Sequence, residues 1–383
     1  MRKRLWAEID LSTISHNLRQ IKKRVGPSVK IMGVVKANAY GHGLIAVSNL
    51  LVKEGIDALC VDNVEEGIEL RKGGIFIPIL ILSSFWEEEV DLICNYQLTP
   101  TIFEKETAEI LSRRALERGR KIKIHINVDT GMGRAGIPYK KAVEFIEEVN
   151  KFAGIEIEGI YTHFSSADEE DGKYSSLQIS RFQEVVEKLK KRGIDPPLKH
   201  IANSAALLNI PSSFNFNCFN AIRPGLLLYG YYPSPLVTRS ISLKPSLCLK
   251  SRVIFVKRVP PGSFLSYNRT YVTTRSTFIA ILPVGYGDGY PRSLSNRGEV
   301  LIRGKRFPLV GRVCMNQSLV DTGDIKVKVE DEVVLWGTQG RGKISLEEVA
   351  LKANTIPNEL VTNLSQKVSR VYLGNLPPTR IDS

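Results

Sequence analysis

The chain has 383 residues, 43% of them apolar, enough for a large core and more than one domain usually holds. Its net charge of +13, from 53 basic and 40 acidic residues, is dispersed through amphipathic stretches such as 181–193 with no basic run interleaved with aromatics, which argues against a nucleic-acid partner. Apolar runs stay short of the roughly 18 residues that span a bilayer, Glu8 and Asp10 interrupt the start before a signal-like core develops, and five widely spaced cysteines form no C-x-x-C pair. No membrane association is expected, and the reading for location is a reducing compartment, most simply the cytoplasm.

Over the first 230 residues, β-rich runs alternate with helix-length amphipathic segments, the rhythm of βα units on a parallel sheet. Strands are predicted at 31–36, 57–62, 77–83, 98–102, 123–129, 157–164, 198–203 and 220–225. Eight strands over this length predict a closed (β/α)8 TIM-type barrel across 11–240 rather than an open sheet. Beyond that, β-branched runs separated by turn signals predict a mainly β region over 241–383. Only 345–354 reads there as a clear helix, opened by Ser345 and Glu348 as a capping box.

A barrel puts its site at the carboxyl ends of its strands. Those ends carry Lys36, Asp62, Ser83, Asp129, His163, Asn203 with Ser204, and Arg223. Each alone reads as readily as a solvated loop residue; together they make a cationic pocket containing an amine. Lys36 stands in VVKANAYGHG (34–43), where a strand end meets a loop with Gly41 and Gly43. At the other side of the ring, Asn203-Ser204 opens a short helix and Gly225 follows the last strand, so backbone N–H groups there can hold a phosphate. The alternative for Gly225 is a tight turn and nothing more. A phosphate cup opposite a lysine suggests pyridoxal phosphate. Arg223 cannot accept a proton, so a ring nitrogen placed against it stays unprotonated and the ring is a weaker electron sink, suited to removing and returning a proton at one carbon.

Nine motifs span nearly the whole chain: EIDL at 8–11, VKANAYGHG at 35–43, DTGMGRAG at 129–136, THFSSAD at 162–168, HIANSA at 200–205, RPGLLLYG at 223–230, LSYNRTY at 265–271, GYGDG at 285–289 and GRVCMN at 311–316. In these the chain closely resembles the alanine racemases, two-domain barrel enzymes that use pyridoxal 5′-phosphate. The resemblance implies racemisation of L- and D-alanine, supplying D-alanine as a peptidoglycan precursor. It implies that Lys36 forms the Schiff base with the cofactor and acts as base on one face of the substrate carbon, with Tyr267 on the other. His163 lies against the cofactor ring, Arg223 pairs with the ring nitrogen and is supported by His200, and Tyr40, Ser204, Gly225 and Leu226 match phosphate contacts. Arg134 matches a contact to cofactor and substrate carboxylate, and Tyr286 and Met315 match substrate-side residues, with packing the alternative for both. The resemblance further implies a homodimer in which Tyr267, Tyr286 and Met315 reach the barrel mouth of the other subunit, and a first strand, residues 1–10, that packs with the β region. No metal is expected.

The chain departs from the family pattern at three positions. Asn127 stands where many members have a lysine that steadies the arginine, so Arg134 is held by the amide or by an anion. Asn316 replaces an aspartate. Asn358, in IPNE at 356–359, replaces a tyrosine that donates to the cofactor phosphate and narrows the pocket. That third change raises serine or a broader set of amino acids as alternative substrates. The alternative of a different class is a decarboxylase using the same barrel and cofactor, against which Arg223 counts.

Overall fold

The computed structural model describes residues 3–169, 171–214 and 218–374; the ends of the two expected β segments, Met1, Arg2 and 375–383, lie outside them. Contacts divide the described chain into two units, one of residues 14–39 and 44–244, the other of 3–13, 40–43 and 245–374.

In the larger unit the eight predicted strands are found at Lys30–Val34, Ala58–Val61, Ile79–Ile81, Thr101–Ile102, Ile122–Asp129, Ile155–Tyr161, Leu198–Ala202 and Ala221–Ile222, here called barrel strands one to eight. Neighbours in sequence pair in parallel, the eighth pairs back with the first through Ala221 and Lys30, and a bridge between Leu80 and Thr99 joins the third strand to the approach of the fourth. The ring is the TIM-type barrel that the sequence predicts. All but strand five are shorter than predicted, and strands four and eight, reduced to two residues each, are cut for physical reasons. Pro100 brings no N–H to the ladder just before strand four, and strand eight changes register against strand seven between Ala221 and Ile222.

Strand five shows how the sequence sorts the two faces of this ring. Ile122, Ile124, Ile126 and Val128 alternate with Lys123, His125, Asn127 and Asp129. The aliphatic set faces the surrounding helices, which bring their own stripes, as in Lys173–Lys191 with buried Phe182, Val185 and Leu189. The polar set faces inward. There His125, Tyr161, His200 and Thr101, all at most 3% exposed, occupy space that branched aliphatic residues fill in most such barrels.

The smaller unit has a sheet ordered Lys305–Pro308, Glu299–Ile302, Glu332–Gln339, Leu247–Arg252, Leu5–Asp10, Ser369–Leu373. Leu5–Asp10 runs antiparallel to Leu247–Arg252 and parallel to Ser369–Leu373. A second sheet of Phe255–Val259, Thr277–Leu282 and Ser318–Gly323 closes over Leu265, Ile279 and Val310. The predicted helix is found at Leu346–Ala353, with Ser345 Oγ accepting the Glu348 N–H at 3.1 Å. The reciprocal half of the capping box is replaced: the Glu348 carboxylate accepts from Arg306 and Lys352. A second helix, Pro357–Thr362, was not predicted, because six residues are too few to show a period. Among the described residues no helix is long and apolar enough to cross a membrane.

Candidate active site

Lys36 follows barrel strand one and opens an unusual turn. Ala37, Asn38, Ala39 and Tyr40 have φ of 53°, 55°, 51° and 51°, four consecutive non-glycine residues in the left-handed region. Each carries a cost of about 1–2 kcal/mol for its Cβ against the following carbonyl. The sequence reading has a loop here; the structure has a wound left-handed turn, held by side chains. Glu66, in the helix Val64–Lys72, accepts the Ala37 N–H through Oε1 at 2.6 Å and the Asp62 N–H through Oε2 at 2.9 Å. Asn38 Oδ1 accepts the Leu44 N–H at 2.7 Å. Burial pushes the Glu66 carboxyl up, opposed by the backbone N–H groups it accepts. The Lys36 ammonium sits 2.8 Å from Asp62 Oδ1, both side chains more than a third exposed, an ion pair too weak to withhold the amine from a reaction partner. Glu66 was missed in sequence because an acid in the first turn of a helix reads as ordinary dipole compensation.

Arg223 is 4% exposed and donates to two backbone carbonyls, His200 O at 3.1 Å and Thr162 O at 2.7 Å. It also donates to His200 Nδ1 and reaches His163 Nδ1 at 3.4 Å. The guanidinium lies over the Tyr161 ring at 4.7 Å, and that ring stacks on His200 with centroids 4.9 Å apart. Tyr161 was also missed; it ends barrel strand six, two residues before His163. Burial, then the charges of Arg223, Arg134 and Lys36, depress His163 to about 3, so the imidazole is neutral. Burial likewise takes His200 well below the ordinary histidine range. The predicted gathering of Lys36, His163, Arg134 and Arg223 is therefore electrostatically felt at His163.

Asn203 caps the short helix Ser204–Asn209, its Oδ1 accepting the Ala206 N–H at 3.0 Å. The buried Ser204 hydroxyl accepts the Gly225 N–H at 3.0 Å, tying the helix start to the loop that carries Leu226. Gly225 has φ of −114°, so a left-handed turn is not what requires glycine there. The Val34 N–H donates to Pro224 O at 2.9 Å, which sets the end of strand one beside this loop; because the closed ring pairs strand eight with strand one, the loop adjoins the strand of Lys36 and is not across the ring from it as the sequence reading has it. Arg134 stands exposed in the Gly131–Gly136 loop, whose shape is fixed by Asp129 Oδ1 accepting from the Gly131 and Gly133 N–H groups. Buried Asn127 donates to Ala135 O at 3.4 Å, so its amide reaches the backbone next to Arg134.

The remaining candidates belong to the smaller unit. Tyr267, Met315 and Tyr286 are exposed, by 68%, 57% and 44%. Tyr267 begins a turn in which Ser266, Asn268 and Arg269 all have positive φ. Ser266 Oγ donates to Arg312 O at 2.7 Å, while the Tyr286 and Gly287 N–H groups donate to Cys314 O and Met315 O at 3.0 and 2.8 Å. The loops of Tyr286 and Met315 are thus linked backbone to backbone, and the Ser266 side chain ties the turn of Tyr267 to the second of them. Asn316 lies on that second loop, its amide 3.5 Å from Asp288 Oδ2. Tyr40 groups with this unit too. After it, Gly41 lies so near helix Pro357–Thr362 that a Cβ would sit 2.0 Å from Val361 O, and a Cβ on Gly43 would sit 1.8 Å from the Tyr372 hydroxyl. The two glycines of the loop are therefore required by close approach as well as by φ of 76° and 103°. Asn358, half-buried, occupies the first turn of that same helix.

Residues 9–233 match the family model for the alanine racemase N-terminal domain, and residues 246–372 match that for the alanine racemase C-terminal domain. The chain is 48% identical over 368 residues to the alanine racemase of Halothermothrix orenii, covering 96% of each. The chain belongs to the alanine racemase family. Alanine racemase from Clostridium difficile 630 superposes with a TM-score of 0.91 at 39% identity, covering 97% of this chain and 96% of that one. A histidine racemase from Leuconostoc mesenteroides superposes with a TM-score of 0.89 at 27% identity, so the fold also carries a racemase named for a much larger side chain. As a member of the alanine racemase family, the chain is an isomerase. The donor set at the barrel rim fits the family's cofactor, pyridoxal 5′-phosphate. It offers an amine at Lys36, a buried donor-only guanidinium at Arg223, a neutral imidazole at His163 and, for a phosphate, the hydroxyl of Ser204, which can donate outward while its oxygen accepts the Gly225 N–H.

Proposed function

We propose that the protein racemises alanine with pyridoxal 5′-phosphate, which when bound supplies the electron sink that acidifies the substrate's α-hydrogen. The observation that carries this reading is Arg223. A buried guanidinium bonded only to acceptors offers a hydrogen bond, never a proton site, to a ring nitrogen, and this restrains the sink to proton exchange at one carbon. A decarboxylase of this architecture would be served better by a carboxylate at that position.

Lys36 and Tyr267 take the two proton-transfer roles. One removes the α-proton from its face of the substrate while the other returns a proton from the opposite face, so each turnover leaves the two groups with exchanged protonation states. Arg134 orients the substrate carboxylate, and neutral His163 packs beside the cofactor without adding positive charge. Ser204, the Gly225 and Leu226 backbone and Tyr40 hold the phosphate.

The arrangement is a homodimer with shared sites. Its support is the surface of the smaller unit, where Tyr267, Tyr286 and Met315 expose large side chains on loops joined by backbone hydrogen bonds and by the Ser266 hydroxyl. Contiguous exposed aromatic and methionine surface of this kind marks a partner face. The product, D-alanine, serves as a peptidoglycan precursor, and the site of action is the cytoplasm.

The test is incubation of the holoenzyme with L-alanine in deuterated water, followed by chiral separation. Deuterium at the α-carbon of D-alanine, abolished in Lys36→Ala, is expected. Carbon dioxide release from lysine, ornithine or diaminopimelate without α-exchange of alanine would assign a decarboxylase instead.

A further inference from the structure

The polar groups inside the barrel form a line that continues past the residues assigned above. His200 Nδ1 accepts from Arg223, and His200 Nε2 lies 2.8 Å from His125 Nδ1. His125 Nε2 lies 3.5 Å from Glu158 Oε2, and the other carboxylate oxygen of Glu158 accepts from Lys123 at 2.8 Å near the amino end of strand five. Both imidazoles are at most 1% exposed.

The direction of every bond in this line follows from its ends. Arg223 has donors only, so His200 Nδ1 must present a lone pair and its proton is on Nε2. That N–H points at His125 Nδ1, which must then accept, leaving the His125 proton on Nε2, aimed at a carboxylate. Burial depresses both imidazoles below the ordinary histidine value, and the His125 N–H and then Lys123 hold the Glu158 carboxyl at about 2. Two neutral histidines thus carry a one-way donor chain from a cation to an anion.

The chain also has a built seat. A Cβ on Gly159 would lie 2.5–2.8 Å from three atoms of the His125 ring, so the imidazole occupies the space of the missing side chain on the neighbouring strand. Two residues further along that neighbouring strand, Tyr161 packs its face against both His200 and Arg223.

We propose that His125 and Glu158 are positioning residues for Arg223, fixing the His200 tautomer and ring plane so that the guanidinium donates toward the barrel mouth with constant geometry. Charge at Glu158 strengthens His125 as a donor-acceptor, hence His200 as the acceptor for Arg223. The effect on racemisation rests on the cofactor reading given above; the tautomers do not.

The experiment is histidine-selective 15N NMR of the holoenzyme, together with kinetics of Glu158→Gln, Glu158→Leu, Gly159→Ala and Lys123→Met. His125 and His200 are expected to be neutral with the proton on Nε2. A charged ring, or a proton on Nδ1 of either, overturns the proposal. Glu158→Leu is expected to lower kcat about tenfold with KM for L-alanine changed less than about twofold, and to shift the visible band of the bound cofactor. Glu158→Gln, which retains an acceptor for His125, falls between it and the wild type, and Lys123→Met leaves both readouts unchanged. Gly159→Ala displaces the ring and reproduces the Leu variant. Lowered melting temperatures with unaltered kcat and absorbance in both Glu158 variants would make the line structural only and overturn the proposal. Correct tautomers in a protein that does not racemise alanine would instead overturn the functional reading and leave the chain's geometry standing.

Discussion

The two units hold their candidate residues by opposite means. In the barrel unit, Arg223, His200 and Ser204 are at most 8% exposed, Arg223 and His200 fixed by each other's side chains and Ser204 by the Gly225 N–H. In the β unit, Tyr267, Tyr286 and Met315 are exposed, and what is fixed is the backbone beneath them, through positive-φ turns and carbonyl-to-amide bonds between loops. A site preorganised by buried side chains is complete within its unit, whereas large side chains displayed on stiff loops are complementary to something outside it. In the proposed dimer that something is the other subunit.

The strongest way to break this contrast is to separate the two halves. Lys36→Ala and Tyr267→Ala are each expected to lose racemisation by at least about a thousandfold. If sites are shared between subunits, unfolding and refolding a mixture of the two inactive proteins gives heterodimers with one intact site each, about a quarter of wild-type activity at equal amounts. Recovery of no activity, with heterodimers shown to form, would place Lys36 and Tyr267 of one chain in one site and remove the argument from exposure.

The β unit's backbone framework can be tested at Gly285. A Cβ there would meet Cys314 O at 2.1 Å, pushing apart the loops that carry Tyr286 and Met315. Gly285→Ala is expected to cost about 2–3 kcal/mol in stability and to lower activity with it, whereas Gly262→Ala, with φ of +79° and nothing within 4 Å, costs only about 1 kcal/mol for its backbone. Equal effects in denaturant unfolding would mean that loop contact adds nothing to the framework.

Legibility followed the same division. The barrel was readable because eight β-rich runs alternate with amphipathic helices, and its rim was readable because chemistry-bearing residues end those strands. Glu66, Tyr161 and Glu158 were not readable: their roles depend on contacts across the ring, from Glu66 to the turn after Lys36 and from Tyr161 to Arg223. The left-handed turn at 37–40 was hidden for a related reason, since alanine and tyrosine carry no local preference for positive φ and the turn is imposed by its partners. In the β unit, the helix Pro357–Thr362 carried a legible proline start but too short a pattern to announce itself.

Acid sensitivity separates a carboxylate inside the barrel from one on the β unit. Glu158 is held at about 2 first by the His125 N–H and then by Lys123, and Glu348 is held at about 2 first by Arg306 and then by Lys352. A carboxyl lowered from the ordinary value near ~4.4 stabilises the fold above that pH and loses the contribution as pH falls toward 2. With screening discounted, the contribution at pH 7 is about 2 kcal/mol for Glu158, whose side chain is 15% exposed, and about 1 kcal/mol for Glu348, at 28%. The glutamine variants are therefore destabilised at pH 7, and roughly half of each deficit disappears by pH 3. Urea unfolding at the two pH values measures this. A deficit independent of pH would mean lost packing rather than lost charge.

The smallest expected effect concerns substrate choice at Asn358. This residue sits in the first turn of Pro357–Thr362, against whose backbone the segment after Tyr40 packs. An amide there offers a donor and an acceptor where the family's tyrosine offers a phenol and more bulk, which favours a substrate with a hydroxyl on its β-carbon. Asn358→Tyr is expected to reduce kcat/KM for L-serine relative to L-alanine by a few-fold, about 1 kcal/mol, and to tighten the cofactor by one phosphate hydrogen bond. Because the residue is half-buried at a helix start, the substitution leaves melting temperature nearly unchanged. An unaltered serine-to-alanine ratio, with tighter cofactor binding, would confine position 358 to the phosphate and leave selectivity to Tyr286 and Met315.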